Sequence, residues 1–125
     1  MARAVLIVED GNNIAPLEIA LGSLNGVKVV VVSNGRDALE LLYGSSIEIA
    51  AVVTDLHLPY VDGFELVEAI RSHTRYSRLP VVVVSGDSHP ETSIRVRRLG
   101  ADAFFPKPYS PAEIRHTLEA LLDAP

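Results

Sequence analysis

The chain has 125 residues, which fits one domain spanning residues 1–125. Its 48% apolar content excludes a disordered chain, and the lack of cysteine excludes disulfide bonds and thiolate metal sites. The formal net charge of −5 disfavours direct binding of nucleic acid, which needs a basic face. No apolar run is long enough to cross a membrane or to form the core of a signal peptide, so we expect a cytoplasmic protein.

Five short β-branched runs alternate with segments of helical spacing. The runs are nearly continuous in apolar residues, as expected for strands that are covered on both faces. They are residues 4–8, 28–32, 49–54, 80–84 and, more weakly, 103–105. Four of the other segments have apolar residues every three or four positions, which predicts amphipathic helices. Their apolar positions are 14, 17, 21 and 24; 38, 41 and 42; 64, 67 and 70; and 114, 118, 121 and 122. The segment 91–99 has a less regular pattern that includes three arginines.

This order of elements predicts an α/β fold of five strand–helix units. Because crossovers between parallel strands are right-handed, the units should wind into one parallel sheet with helices on both faces. Ligands of such sheets bind beyond the carboxyl ends of the strands, where the winding reverses. Candidate functional residues are therefore sought at those ends.

Polar side chains stand at the ends of four of the five apolar runs. Glu9 and Asp10 follow the first run, Asp55 the third and Ser85 the fourth, and Lys107 lies just beyond the fifth. Crowded carboxylates favour a hard cation, and oxygen ligands with room for water suit Mg²⁺. One carboxylate can also act as a nucleophile and form an aspartyl phosphate. A metal, an ammonium group and a hydroxyl group would stabilise the charge of the phosphoryl group during transfer.

Asp55 is the best candidate for the nucleophile, because the third strand should be central and leave this side chain in the crevice. Asp10 and Glu9 would then serve the metal ion. Lys107 would hold one phosphate oxygen as a point charge, and Ser85 would donate a hydrogen bond to another. Any one of these residues alone is readily explained as a helix cap or a solvated loop residue. Their joint occurrence at four strand ends favours the functional interpretation.

The same stretches resemble the response regulator receiver family of two-component signalling. Residues 7–10 resemble its first-strand acidic pair, and residues 54–59 with 62–63 resemble its phosphoacceptor segment and the following loop. Residues 84–86 are similar to the end of its fourth strand, and residues 100–104 with 107–108 to its fifth-strand region. The resemblance runs from about residue 4 to 122. It implies a flavodoxin-like (βα)₅ fold whose five parallel strands have the order 2-1-3-4-5.

The resemblance also implies a role for each matching residue. Asp55 would accept a phosphoryl group from a histidine kinase or a histidine phosphotransfer protein. Asp10 and Asp55 would bind Mg²⁺ directly, together with the backbone carbonyl group of His57, and Glu9 would bind it through a water molecule. Lys107 would be joined to the next residue, Pro108, by a cis peptide bond, which X-Pro sequences tolerate.

A phosphorylation switch is implied as well. Phosphorylation would draw Ser85 toward the phosphoryl group, and the ring of Phe104 would swing into the space that Ser85 leaves. The surface of the fourth helix, fifth strand and fifth helix would then change its partners. Those partners would be an output domain or a separate protein, and the domain would be a monomer or a phosphorylation-promoted dimer.

Two further residues are candidates for tuning the lifetime of the phosphoryl group. His57 and Asp87 lie two positions beyond Asp55 and Ser85, and in this family such positions flank the phosphoryl group. Their residue types suggest a hypothesis in which His57 and Asp87 pair and partly shield the phosphoryl group from water.

The preferred interpretation is a signalling switch that catalyses its own phosphorylation and slow dephosphorylation, and not a turnover enzyme. An aspartate-dependent phosphatase or hydrolase usually needs a second acid two residues after the nucleophile, where this chain has His57. A flavin carrier of similar fold would need a phosphate loop after the first strand, where Glu9 and Asp10 would repel phosphate. A receiver that signals without phosphate is disfavoured by the intact set of Asp55, Asp10, Ser85 and Lys107. The sequence is compatible with a stand-alone regulator and with the N-terminal domain of a longer one.

Overall fold

The computed structural model describes residues 3–11, 14–44, 46–87 and 89–123. Strands and helices alternate along the chain, and a 3₁₀ turn at Thr74–Tyr76 precedes the fourth strand. The strands are β1 (Arg3–Val8), β2 (Val27–Val32), β3 (Ile49–Asp55), β4 (Val81–Ser85) and β5 (Ala103–Pro106). The helices are α1 (Ala15–Gly22), α2 (Gly35–Gly44), α3 (Gly63–Ser72), α4 (Pro90–Arg98) and α5 (Pro111–Asp123). Among the described residues, none of these helices is long and apolar enough to cross a membrane.

The five strands form one parallel sheet in the order β2-β1-β3-β4-β5, which confirms the predicted fold. Strand β3 is central, as expected. Asp55 on β3 lies beside Val84 on β4, and Ser85 lies beside Pro106 on β5. The carboxyl ends of β1, β3, β4 and β5 therefore meet at one edge of the sheet.

Each face of the sheet is covered by helices, so the domain has two hydrophobic cores. Successive strand residues point to opposite faces, and this alternation divides them between the cores. Helices α2, α3 and α4 pack on the face that includes Leu6 and Val83, and helices α1 and α5 pack on the face that includes Ile7 and Val82. Strands β1, β3 and β4 are thus buried nearly throughout, whereas the edge strands β2 and β5 are only partly buried. Strand β5 is also the shortest of the five, with four residues, which explains why the fifth apolar run is the weakest in the sequence.

The start of α3 is built directly against the end of β3. Asp62 caps this helix, since its side chain accepts a hydrogen bond from the amide of Glu65 and the Glu65 side chain accepts one from the amide of Asp62. The amide of Gly63 donates to the carbonyl oxygen of Leu56 over 2.8 Å. A β-carbon at residue 63 would lie only 2.4 Å from the carbonyl oxygen of Asp55, so this close approach requires glycine.

The structure differs from the sequence-based prediction mainly at the strand ends. Strands β3 and β4 each extend one residue further than expected and include Asp55 and Ser85. Ladder hydrogen bonds are made by the backbone, so a strand continues through a polar residue at which an apolar pattern stops. The less regular segment is the helix α4, whose buried residues are Thr92 and Val96.

Candidate functional site

Three carboxylates stand together at the carboxyl edge of the sheet. Glu9 and Asp10 directly follow β1, and Asp55 is the last residue of the neighbouring strand β3. One carboxylate oxygen from each of the three lies within 4.8 Å of the others. The structure therefore brings the predicted nucleophile and the two predicted metal-binding acids into one cluster.

Lys107 supplies positive charge to this cluster. Its Nζ lies 2.5 Å from Oδ2 of Asp55 and 3.1 Å from Oε2 of Glu9. The side chains of Asp55 and Glu9 are only 7% and 10% exposed, so these pairs are less screened by water than surface pairs. The backbone amide of Lys107 donates to the carbonyl oxygen of Ser85 over 2.8 Å, and the Lys107–Pro108 peptide bond is cis.

The pKa values of Glu9 and Lys107 are both raised, for different reasons. Burial raises the pKa of the Glu9 carboxyl group, the hydrogen bond from Lys107 partly offsets this, and the charge of Asp55 raises it further. Partial burial alone would lower the pKa of Lys107, but its hydrogen bonds to Asp55 and Glu9 outweigh burial and raise it. Three carboxylates against one ammonium group leave a site that favours additional positive charge, and their oxygen ligands suit a hard divalent cation.

One backbone amide and one side-chain ammonium group orient the Asp55 carboxylate. Its Oδ1 accepts a hydrogen bond of 3.2 Å from the amide of His57, while its Oδ2 contacts Lys107. The Thr54 hydroxyl group donates to the carbonyl oxygen of Asp55 over 2.8 Å. Each oxygen of the carboxylate thus has its own donor, one from the following loop and one from beyond β5.

Ser85 and the two candidate lifetime residues lie beside this cluster. Ser85 is fully buried at the end of β4, and its Oγ accepts a hydrogen bond of 3.0 Å from the amide of Asp87. His57 Nε2 is 3.9 Å from Asp87 Oδ2, which is too long for a hydrogen bond, and the His57 side chain is 68% exposed. The Asp87 carboxylate instead accepts from the amide of His89 over 2.8 Å and from the Thr92 hydroxyl group over 3.0 Å.

Thr92 is a residue that the sequence analysis did not single out. It precedes Val96 by four positions and shares the buried face of α4 with it. A hydroxyl residue on an otherwise apolar helix face is the sequence signal that could have identified it, because a buried hydroxyl group needs a partner.

Phe104 lies on β5 beside Val83 of β4. It is half-buried and packs against the core that α2, α3 and α4 cover, whereas the next residue, Phe105, packs against the opposite core. The structure therefore places the predicted aromatic switch residue on the same side of the sheet as α4.

A cleft of about 570 Å³ opens next to the cluster. Glu9 and Lys107 form its polar wall, and Ile14, Leu17 and Tyr109 are among its largely apolar lining. Burial raises the pKa of Tyr109, with a further contribution from the charge of Glu9, so this hydroxyl group stays protonated at neutral pH. The cleft therefore reaches the cluster at Glu9 and Lys107, along an otherwise uncharged lining.

Comparison with known proteins identifies the family. The profile of the response regulator receiver domain matches residues 5–119, a range that includes every residue of the cluster. The chain belongs to this family. Because the profile covers most of the chain, the resemblance seen in the sequence is confirmed. Receiver domains are signalling modules of two-component systems and not classical turnover enzymes.

Relatives of this receiver domain differ in overall length. It is 34% identical over 120 residues to the transcriptional regulatory protein GltR of Pseudomonas aeruginosa, covering 96% of this chain and 49% of GltR. The chain thus spans about half the length of that relative. It is 28% identical over 118 residues to the two-component response regulator ORR11 of Oryza sativa subsp. indica, covering 94% of this chain and 80% of ORR11. The crystal structure of a putative response regulator from Chloroflexus aurantiacus J-10-fl matches with a TM-score of 0.86 at 26% identity, covering 99% of this chain and 100% of that one.

Proposed function

We propose that this receiver domain is a phosphorylation-dependent switch that accepts a phosphoryl group on Asp55 in a Mg²⁺-dependent reaction. The observation that supports this most is the cluster itself, in which the buried Asp55 carboxylate is held between Lys107 and two further acids. An oxygen of Asp55 would attack phosphorus, and the bond from phosphorus to the donor atom would break. The leaving group would depart with the electron pair of that bond.

The donor set of the cluster fits Mg²⁺. Asp10 and Asp55 would bind the ion directly with the backbone carbonyl group of His57, and Glu9 would bind it through water. When bound, the ion would neutralise charge on the phosphoryl oxygens during transfer. The excess of carboxylate charge over the single ammonium group of Lys107 is the feature of this chain that supports the assignment.

Lys107 and Ser85 would contact the oxygens of the incoming phosphoryl group. Lys107 already lies 2.5 Å from Oδ2 of Asp55, so it is placed to follow negative charge as that charge moves from the carboxylate to the phosphoryl group. Ser85 ends the strand next to β3 and has a hydroxyl hydrogen to donate. Both groups would be positioned in advance, Ser85 by the end of β4 and Lys107 by the hydrogen bond from its amide to the carbonyl oxygen of Ser85.

The switch would act through the surface that α4, β5 and α5 form. Movement of Ser85 toward the phosphoryl group, followed by the Phe104 ring, would change this surface and its partners. A histidine kinase or histidine phosphotransfer protein would supply the phosphoryl group, and an output domain or separate protein would respond, with dimerisation as one form of response. His57 and Asp87 would tune the lifetime, and an unchanged dephosphorylation rate in both His57→Ala and Asp87→Ala would contradict that role.

Intact mass spectrometry after incubation with acetyl phosphate and Mg²⁺ tests the proposal. We expect one added phosphoryl group, which should be absent in Asp55→Asn and when the metal is chelated. Asp123→Asn is the matched control, since it makes the same change at an exposed position at the end of α5 and should keep the adduct. An adduct that persists in Asp55→Asn would place the phosphorylation site elsewhere.

A further inference from the structure

Asp87 joins the end of β4 to the beginning of α4 by three hydrogen bonds. Its backbone amide donates to Oγ of Ser85 over 3.0 Å. One carboxylate oxygen accepts from the amide of His89 over 2.8 Å, and the other accepts from the Thr92 hydroxyl group over 3.0 Å. Ser85 and Thr92 are 0% and 7% exposed, so their bonds to Asp87 are shielded from water on one side, although the Asp87 side chain itself is 28% exposed.

The charge of Asp87 strengthens this connection. The bond from the His89 amide, and after it the bond from the Thr92 hydroxyl group, lower the pKa of the Asp87 carboxyl group, which therefore remains ionised at neutral pH. Hydrogen bonds to an ionised acceptor are stronger than bonds between neutral groups. The carboxylate also lies before the N-terminus of α4, where the helix dipole favours negative charge.

The turn that follows α4 is anchored separately. Arg71 of α3 donates to the carbonyl oxygen of Gly100 over 2.8 Å and pairs with Asp102 over 3.1 Å. The same Asp102 carboxylate accepts from the amide of Val81 over 2.8 Å. The turn after α4 is therefore held to both α3 and β4.

We propose that Asp87 is a positioning residue that ties the Ser85 hydroxyl group to the first turn of α4 through Thr92. Ser85 Oγ uses a lone pair to accept from Asp87, which leaves its own hydrogen free to donate. A displacement of Oγ must either break that bond or move Asp87, and movement of Asp87 would strain or break its bonds to His89 at the start of α4 and to Thr92 within the helix. In the phosphorylation switch proposed above, on which this role rests, the connection carries the movement of Ser85 to α4.

Amide hydrogen exchange measured by NMR tests the connection without any phosphoryl group. Thr92→Val removes the hydroxyl group at nearly constant shape, and Thr92→Ser retains it as the matched control. Loss of the Thr92 bond would free the Asp87 carboxylate to release the His89 amide, so we expect Thr92→Val to speed exchange of that amide by about tenfold. In Thr92→Ser the His89 amide should exchange at close to the wild-type rate. Ser85→Ala should also speed exchange at His89, and the double variant should show less than the product of the two effects.

Two outcomes of the exchange experiment would overturn the connection. In one, Ser85→Ala leaves exchange at His89 at the wild-type rate. In the other, the effects of Ser85→Ala and Thr92→Val multiply as independent changes. Neither outcome involves phosphate, so this result is separate from success or failure of phosphorylation at Asp55.

Phosphorylation provides the second readout. Thr92→Val should still gain the mass of one phosphoryl group, but the chemical-shift changes that phosphorylation produces at Glu91 and Ser93 in the wild type should be largely lost, and Thr92→Ser should restore them. Shift changes of wild-type size in Thr92→Val would show that α4 responds without Asp87 and Thr92. A wild-type protein that gains no phosphoryl mass would refute the proposed function instead. Hydrogen exchange in Ser85→Ala, Thr92→Val and the double variant would still decide whether Asp87 connects Ser85 to α4.

Discussion

Replacing Gly63 with alanine tests whether the start of α3 fixes the position of Asp55. The new β-carbon would lie 2.4 Å from the carbonyl oxygen of Asp55 and 2.6 Å from Cα of Leu56, and neither backbone atom can rotate away. An ordinary contact begins near 3.4 Å, so the backbone must move by about 1 Å (3.4 − 2.4). Overpacking of this kind costs about 1–3 kcal/mol of unfolding free energy. A shift of about 1 Å in a reacting group can slow its chemistry by about a hundredfold.

Urea unfolding and time-resolved mass spectrometry with acetyl phosphate and Mg²⁺ would measure the two effects. Gly22→Ala is the matched control, because this exposed residue ends α1 and its added β-carbon would meet no described atom within 4 Å. The control should be more stable by about 0.5–1 kcal/mol and should be phosphorylated at the wild-type rate. If Gly63→Ala is phosphorylated at the wild-type rate and its free energy of unfolding lies within roughly 0.5 kcal/mol of the wild-type value, α3 does not hold Asp55 in place.

Three further predictions concern charged residues. Arg71→Met removes hydrogen bonds to three acceptors from a side chain that is 18% exposed. We expect it to lower the free energy of unfolding, measured in urea, by about 2–3 kcal/mol. The control Arg97→Met, at an exposed position, should lower it by less than about 0.5 kcal/mol. Lys107 has a raised pKa, so its stabilising pairs are fully present below its ordinary value of 10.5 and are lost as the pH rises through the raised value. Unfolding free energy should therefore fall more steeply above pH 10.5 in wild type than in Lys107→Met, and equal slopes would contradict the pairing. Asp87 has a lowered pKa, so its contribution to the unfolding free energy is present above pH 3.8 and is lost as the pH falls through the lowered value. In Thr92→Val, an NMR titration of the Asp87 carboxyl group should show its pKa return toward 3.8. An unchanged pKa would mean that the Thr92 hydroxyl group does not contact the carboxylate.

The sequence predicted the fold because the packing of this sheet is visible in it. Helices cover both faces of β1, β3 and β4, so almost every residue of these strands is apolar. Strand β5 has only four residues, of which Phe104 and Phe105 are partly buried and Pro106 is exposed, so its apolar run is short and gave a weak signal. Helix α4 was the least clear helix because one of its two buried residues, Thr92, is polar, which leaves Val96 as its one buried apolar position.

The members of the cluster could be predicted because parallel strands end at the same edge. Glu9, Asp55, Ser85 and Lys107 each stand where a strand stops, so chain order alone placed them near one another. Their chemical roles remain predictions. The partners of Arg71 could not be predicted, because one of them lies 31 residues away and the contact depends on how α3 meets the turn after α4.

The charges at the edge of the sheet show why metal dependence is the most demanding test of the proposed function. Burying the Asp55 carboxylate alone would be costly, and the nearby ammonium group of Lys107 offsets that cost. Glu9 and Asp10 add two more carboxylates within 4.8 Å, so the edge remains negative and would repel a phosphoryl group, which carries negative charge itself. Phosphorylation of Asp55 should therefore require additional positive charge beyond that of Lys107. A reaction that proceeds equally fast with the metal chelated would show that Lys107 is sufficient, and Glu9 and Asp10 would then need another explanation.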